Sequence, residues 1–249
     1  MNLRYITCSD PRENLSPISV VDLLRSSPLA ELGIQAHPSA MAHGKPRYVW
    51  TQRVCEIAKD SRTPVNIALH VNYKWCDEIC SGVVPSEIKS FLKHKNSYNF
   101  QPVVSRIQLN IGDYTNKFDA EKLARVIKSW KKFEVILPYN KYTQSKIEEL
   151  KKTGAQFSLL FDGSYGAGVS PEKWDKPAYD DVAFGYAGGL SPFNVRDNLD
   201  KISGVLPADY DTWIDAEGRL RDITTGAMDI SLAREYLNNA LAWHKQHSK

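Results

Sequence analysis

Short apolar runs alternate along the chain with segments of helical periodicity. The runs have the length of buried β-strands and occupy residues 3–7, 33–36, 65–71, 103–109, 133–137, 157–161, 182–186 and 212–214. Between them, apolar positions recur at helical spacing, as in residues 118–130, where Leu123, Val126, Ile127 and Trp130 fall on one face. The pattern therefore predicts about eight strands, each followed by a helix or a helix-compatible segment.

The later part of the chain continues this alternation. Thr143 is a typical N-cap residue and Gly154 a typical C′ residue, which predicts a helix over residues 143–152. Residues 229–243 place their apolar side chains along one stripe and predict a final helix. Residues 170–176 leave room only for a short helix, and the long loop at residues 37–46 is interpreted as a lid or an insertion.

This rhythm favours an α/β protein with a (β/α)₈ TIM-barrel fold, and we expect residues 1–249 to form a single domain. Two smaller domains are the alternative that the length allows, but no Pro/Gly/Ser-rich linker divides the chain. In such a barrel the active site lies at the carboxyl ends of the strands. That rim would carry Cys8 after strand one, Arg47 beyond strand two and Asp162 after strand six. Glycines follow strands seven and eight, where barrels often bind phosphate through backbone N–H groups.

Composition narrows the class of protein further. Hydrophobic residues make up 42% and charged residues 24%, which is typical of a soluble globular protein. The 32 basic and 29 acidic residues give a net charge of +3, too small to indicate a nucleic-acid or membrane partner. Four cysteines are too few for a disulfide framework, and neither a signal peptide nor a membrane span is visible. We therefore expect a cytoplasmic protein with reduced thiols and no metal site.

Several motifs resemble phosphoribosylanthranilate isomerase, the (β/α)₈ barrel of tryptophan biosynthesis. The most specific is Ala-Gly-Gly-Leu-Ser-Pro-Phe-Asn-Val at residues 187–195. The others are Tyr-Ile-Thr-Cys-Ser at residues 5–9, Gly-Lys-Pro-Arg-Tyr-Val at 44–49, Leu-Phe-Asp at 160–162, the loop with Gly166 and Gly168 before Trp174, and looser matches at 217–220 and 226–229. Because they recur in the family's order, the resemblance covers nearly the whole chain.

The resemblance implies a cofactor-free Amadori rearrangement, in which an N-(5-phosphoribosyl) amine becomes a 1-deoxyribulose 5-phosphate product. It assigns Cys8 as general base, Asp162 as general acid and Arg47 as the ligand of a substrate carboxylate. It also assigns phosphate binding to backbone groups at Gly166, Gly168, Gly188, Gly189 and Gly218. An ordinary Asp pKa is about 3.9 and an ordinary Cys pKa about 8.5, so the site must raise the first or lower the second.

Three positions depart from the family's motifs. Ser9 replaces a glycine, Asn110 stands where the family has a histidine, and Glu217 replaces a serine next to the expected phosphate. A carboxylate there would repel phosphate unless it turned away. Two alternatives therefore stay open: a divergent barrel acting on another phosphorylated sugar, and a non-catalytic barrel that binds a phosphorylated metabolite or a protein partner.

Without the resemblance, the same residues have ordinary structural interpretations. Cys8 is typical of a small buried residue at a strand end, Asp162 of a cap and Arg47 of a surface ion pair. His70 lies in a strand-like run and is predicted to be packed.

Overall fold

Strands and helices alternate around a closed barrel. The computed structural model describes residues 1–112, 118–162 and 169–247, and its strands pair in parallel from β1 to β8, which pairs back with β1. The strands are β1 (Asn2–Ser9), β2 (Ala30–Ala36), β3 (Asn66–Val71), β4 (Val104–Leu109), β5 (Glu134–Tyr139), β6 (Ser158–Asp162), β7 (Phe184–Ala187) and β8 (Asp211–Ala216). The predicted (β/α)₈ fold class is confirmed.

The helices of the described residues lie between and after these strands. They are α1 (Pro17–Leu24), α2 (Pro38–Met41), α3 (Pro46–Lys59), α4 (Tyr73–Cys80), α5 (Ser86–Phe91), α6 (Ala120–Ser129), α7 (Gln144–Lys152), α8 (Val195–Ser203) and α9 (Ile230–His247), with a short 3₁₀ helix at Gly218–Leu220. No helix in these described segments is both long and apolar enough to cross a membrane.

The predicted helices are present, and one helix cap and one connection differ from expectation. Thr143 occupies the N-cap position of α7, but its hydroxyl donates to the carbonyl of Pro138 instead of capping the helix. Residues 169–183, between β6 and β7, contain no helix at all. The long loop after β2 holds the short helix α2, and α3 begins at Pro46, a residue type suited to the first helical turn.

Alternation along the strands separates an outer apolar layer from a polar barrel interior. Outward residues pack beneath the helices and form the main hydrophobic core. Inside the barrel, a small apolar cluster contains Ile136, Leu160 and Trp213. Gly185 has no Cβ, and a Cβ there would overlap the Trp213 indole, so the glycine makes room for this large ring inside the barrel.

A buried charged cluster fills the interior towards the amino ends of β2, β4 and β5. Arg106 donates to Glu31 over 2.7 Å and to Glu134 over 3.2 Å. Its guanidinium carbon lies 4.3 Å from the Trp213 ring centroid and 4.5 Å from that of Tyr5. Because these side chains fill the lower barrel, the space for chemistry lies above them, at the carboxyl ends of the strands.

Candidate active site

One layer above the charged cluster, Ser9, His70 and Asp215 meet inside the barrel. The Ser9 hydroxyl donates to Asp215 Oδ1 over 2.6 Å, and His70 Nε2 lies 4.0 Å from Asp215 Oδ2. Gly33 makes this meeting possible, because a Cβ at that position would overlap Ser9 Oγ and lie 2.6 Å from His70 Cε1. The three side chains are buried and come from β1, β3 and β8.

Burial gives Asp215 unusual acid–base behaviour. Loss of water raises its pKa to about 7, with the charges of Glu217 and Asp162 adding to the shift and the Ser9 hydrogen bond opposing it. Burial also lowers the pKa of His70, which favours its neutral ring. Near neutral pH, Asp215 therefore exists in both protonation states, as a group that accepts and returns protons requires.

Asp162 shares the barrel interior with Asp215. It ends β6, where it pairs in register with Ala187 of β7, and Ala187 pairs in turn with Asp215 of β8. Alternation places Asp162 on the same side as Leu160, which belongs to the interior cluster. Ala187 stands between them in this row, and the charge of Asp162 contributes to the raised pKa of Asp215, so the two carboxyl groups lie near each other in the upper barrel.

A polar cavity of about 480 Å³ opens at the carboxyl ends of β1, β2, β3 and β8. Its lining is Asp10, Arg12, Glu13, Gln35, His37, Arg47, Asn72, Tyr73, Glu217 and Arg221. Asp10, Asn72 and Glu217 follow Ser9, His70 and Asp215 by one or two residues. The cavity therefore lies directly above the Ser9–His70–Asp215 layer.

Asp10 is the centre of the ion pairs in this cavity. Its side chain is only 6% exposed, and it pairs with Arg12 at 3.2 Å, Arg47 at 3.2 Å and Arg221 at 2.5 Å. Its φ of +59° lies in the left-handed region, which is uncommon outside glycine although aspartate tolerates it better than most residues. This turn at the end of β1 directs the carboxylate towards all three guanidinium groups.

Side-chain amides extend the network around the mouth. Asn110 donates to Asn72 over 2.9 Å, Asn72 donates to Gln35 over 2.5 Å, and Gln35 donates to Glu217 over 2.9 Å. Arg221 donates to the other oxygen of Glu217 over 2.8 Å. Asn110 and Glu217, two of the departures from the family motifs, are thus parts of one hydrogen-bond network.

Cys8 requires a correction, because the structure does not bring its thiol to the mouth. Cys8 is fully buried, and its Sγ lies 3.9 Å from the carbonyl oxygen of Ala233 in α9, outside the barrel. Burial raises the thiol pKa far above its ordinary value, with the charge of Asp215 adding to the shift. Because side chains alternate along a strand, the inward neighbour Ser9 occupies the position that was predicted for Cys8.

Arg47 does reach the cavity, where it pairs with Glu13 as well as with Asp10. Arg47 lies in the first turn of α3 and is buried, whereas its ordinary interpretation from sequence was an arginine in a surface ion pair. Its binding of a substrate carboxylate stays a prediction.

The predicted phosphate-binding glycines divide into three cases. Gly166 and Gly168 lie outside the described residues. Gly188 and Gly189 have positive φ, and a Cβ on Gly189 would overlap the backbone of Val169 and Ser170, so close chain packing already accounts for that glycine. Gly218 starts the 3₁₀ helix, and a Cβ added there would contact no other atom. Phosphate binding at these positions stays a prediction.

Asp10, Asp215 and Arg221 were missed by the sequence analysis. The available signal was the alternation Trp-Ile-Asp-Ala-Glu at residues 213–217, which places Asp215 and Glu217 on the inward side with Trp213. Asp10 and Arg221 lie in loops, where no periodicity indicates their direction.

Fold and site together define a (β/α)₈ barrel with the carboxyl groups of Asp162 and Asp215 in its upper interior and an arginine-lined mouth. No protein-family model matches the sequence, and neither does any curated protein. Among solved structures, a monomeric form of the dimeric phosphoribosylanthranilate isomerase from Thermotoga maritima is similar, with a TM-score of 0.52 and 16% identity. The match covers 96% of this chain and 99% of that one. At this identity the likeness shows the fold.

The raised pKa of Asp215 predicts a pH dependence of stability. Between the ordinary pKa of 3.8 and about 7, the folded protein holds a proton that the unfolded chain has released, so stability falls as pH rises through this range. From pH 5 to pH 8, the unfolding free energy of the wild type should fall relative to Asp215→Asn by on the order of 2 kcal/mol. Urea unfolding of both proteins at several pH values measures this difference. Parallel pH profiles for the two proteins would contradict the assigned burial cost.

Proposed function

We propose that the protein is an enzyme that isomerises a small phosphorylated aminosugar, with Asp162 and Asp215 as its acid–base pair. The observation that carries the proposal is the row Asp162–Ala187–Asp215 inside the barrel, next to a polar cavity at the strand ends. Two neighbouring carboxyl groups, one acting as acid and the other as base, suit a proton transfer between neighbouring substrate atoms. The resemblance to phosphoribosylanthranilate isomerase supports the substrate class.

The proposed reaction moves protons and leaves the composition of the substrate unchanged. Asp162 protonates the ring oxygen of the N-(5-phosphoribosyl) amine, and the ring C–O bond breaks to give an open-chain iminium ion. Asp215 then removes the proton from C2, which produces an enaminol that tautomerises to the aminoketose. Asp215 takes the role that the resemblance assigned to Cys8, because its raised pKa makes it a stronger base than an ordinary carboxylate.

The position of Glu217 supports a second candidate function, with a different substrate. Its carboxylate lies beside Gly218, in the strand-eight loop where barrels of this type often hold phosphate, and it is fixed there by Gln35 and Arg221. A phosphate at the same place would be repelled. The second candidate is therefore a different phosphorylated sugar, whose phosphate binds nearer to Gly188 and Gly189.

The deciding experiment is a turnover assay with phosphoribosylanthranilate on the wild type and Asp162→Asn. The proposal expects turnover by the wild type and a loss of at least about a hundredfold in the variant. The control is Asp22→Asn, which removes an exposed carboxylate paired with Arg25 on α1 and should leave turnover unchanged. No turnover, together with saturable stabilisation by another phosphosugar, would favour the second candidate. Stabilisation without turnover of any phosphosugar would indicate the non-catalytic alternative.

A further inference from the structure

The three arginines of the cavity are already matched by carboxylates of the chain. Arg12, Arg47 and Arg221 each pair with Asp10, Arg47 also pairs with Glu13, and Arg221 also pairs with Glu217. Formal positive and negative charges in this cluster are therefore equal. While these pairs are intact, the carboxylates repel an anionic ligand about as much as the arginines attract it. A strong contact therefore requires that the ligand displace one of the chain's own carboxylates.

Glu13 is the carboxylate that can leave at the lowest cost. Asp10 is buried and bound by three guanidinium groups, and Glu217 is held through both oxygens by Gln35 and Arg221. Glu13 is 41% exposed and lies in the irregular connection between β1 and α1. When its side chain swings out, its carboxylate meets water and so recovers hydration that a buried group would lack.

The contact that Glu13 makes describes the ligand chemistry. Arg47 Nε donates to Glu13 Oε2 over 2.6 Å, a short charge-assisted bond from a side chain that is itself only 8% exposed. Burial acts against ionisation of Glu13, yet its own backbone N–H and Arg47 keep its pKa below the ordinary value. The guanidinium edge of Arg47 is thus shaped and charged for a carboxylate that arrives from the cavity.

We infer that Glu13 is an intramolecular occupant of a carboxylate-binding subsite on Arg47, which a carboxylate of the ligand replaces. Asp10 is the positioning residue, because it holds the guanidinium in place before and after the exchange. The inference rests on the proposed function only in treating the cavity as the ligand site. It adds that binding must compete with the Glu13 contact, so the chain weakens its own affinity for acidic ligands.

The test follows the Nε–H signal of Arg47 by NMR while acetate is added to the full-length protein. Acetate should shift this signal in the wild type, and Glu13→Gln should bind acetate about fivefold more tightly, the gain expected when a half-exposed ion pair no longer competes. Asp10→Asn removes the carboxylate that holds the Arg47 guanidinium, so it should change the Nε–H signal of Arg47 before any acetate is added, as expected for a positioning residue. The matched control is Glu56→Gln, which removes the carboxylate of the exposed Arg53–Glu56 pair on α3 and the same net charge. Its acetate affinity should equal that of the wild type.

A parallel titration with inorganic phosphate distinguishes the two kinds of anion. The inference expects acetate to gain more than phosphate from Glu13→Gln, and equal gains would reassign the subsite to anions in general. Unchanged or weaker acetate binding by Glu13→Gln would overturn the inference, as would the absence of any acetate shift in both proteins. These measurements need no turnover, so a tighter Glu13→Gln variant without isomerase activity would separate failure of the proposed function from failure of this inference.

Discussion

Asp215→Asn should lower turnover of phosphoribosylanthranilate by about 10²- to 10⁴-fold, the range in which a positioned proton-transfer group contributes. Asparagine keeps the shape of the side chain and can still accept the Ser9 hydrogen bond, but it cannot take a proton from carbon. The folded site should therefore remain intact while its base is removed. The measurement is kcat and kcat/KM from the loss of substrate under saturating and limiting conditions, at pH 7 to 8.

Cys8→Ala is the informative companion, because the thiol is the alternative base. Cys8 packs against α9 outside the barrel, so its removal should reduce stability slightly and leave turnover near the wild-type value. A pH profile adds a second criterion: the rising limb of kcat/KM in the wild type should have its midpoint near 7, as expected for Asp215 acting as a base. Loss of turnover in Cys8→Ala with normal turnover in Asp215→Asn would reverse the assignment.

The barrel could be predicted from sequence because its strands carry apolar residues on the outward side. In β4, Val104, Ile107 and Leu109 predict a strand even though the inward residues Arg106 and Gln108 are polar. Three helices were predicted individually, α6 and α9 from their apolar stripes and α7 from the residues at its ends, and each lies where it was expected. Fold class depends on these repeated surfaces, and small errors at single positions do not alter it.

The site was predicted less completely for a physical reason. A side chain in a strand faces inward or outward according to its position, and an error of one residue exchanges the two sides. Cys8 and Ser9 are neighbours at the end of β1, and only their contacts with Ala233 and Asp215 show which of them enters the barrel. Arg47 was placed at the mouth by its motif, but its partners Asp10 and Glu13 lie in a loop of irregular conformation.

Arg106→Met should destabilise the protein by about 3 to 5 kcal/mol, the loss typical when one partner of a buried ion pair is removed. Glu31 would remain in the barrel with the hydrogen bond from Thr7 but without its cation. Burial already raises the pKa of Glu31, and the Arg106 charge is the main influence that opposes it. Urea unfolding at pH 7 measures the loss.

The neutral double variant Arg106→Met, Glu31→Gln separates the cost of an unpaired charge from the cost of lost packing. It should recover a large part of the stability, since glutamine fills the same space and carries no charge.

Arg106→Met alone should also lose less stability at pH 5 than at pH 7, because the isolated Glu31 can then take up a proton. The exposed pair Arg53–Glu56 is the reference, and Arg53→Met should cost no more than about 1 kcal/mol. A loss of that size for Arg106→Met would mean that water reaches Glu31 and that the lower barrel is open, in which case the chemistry would no longer be confined to the mouth.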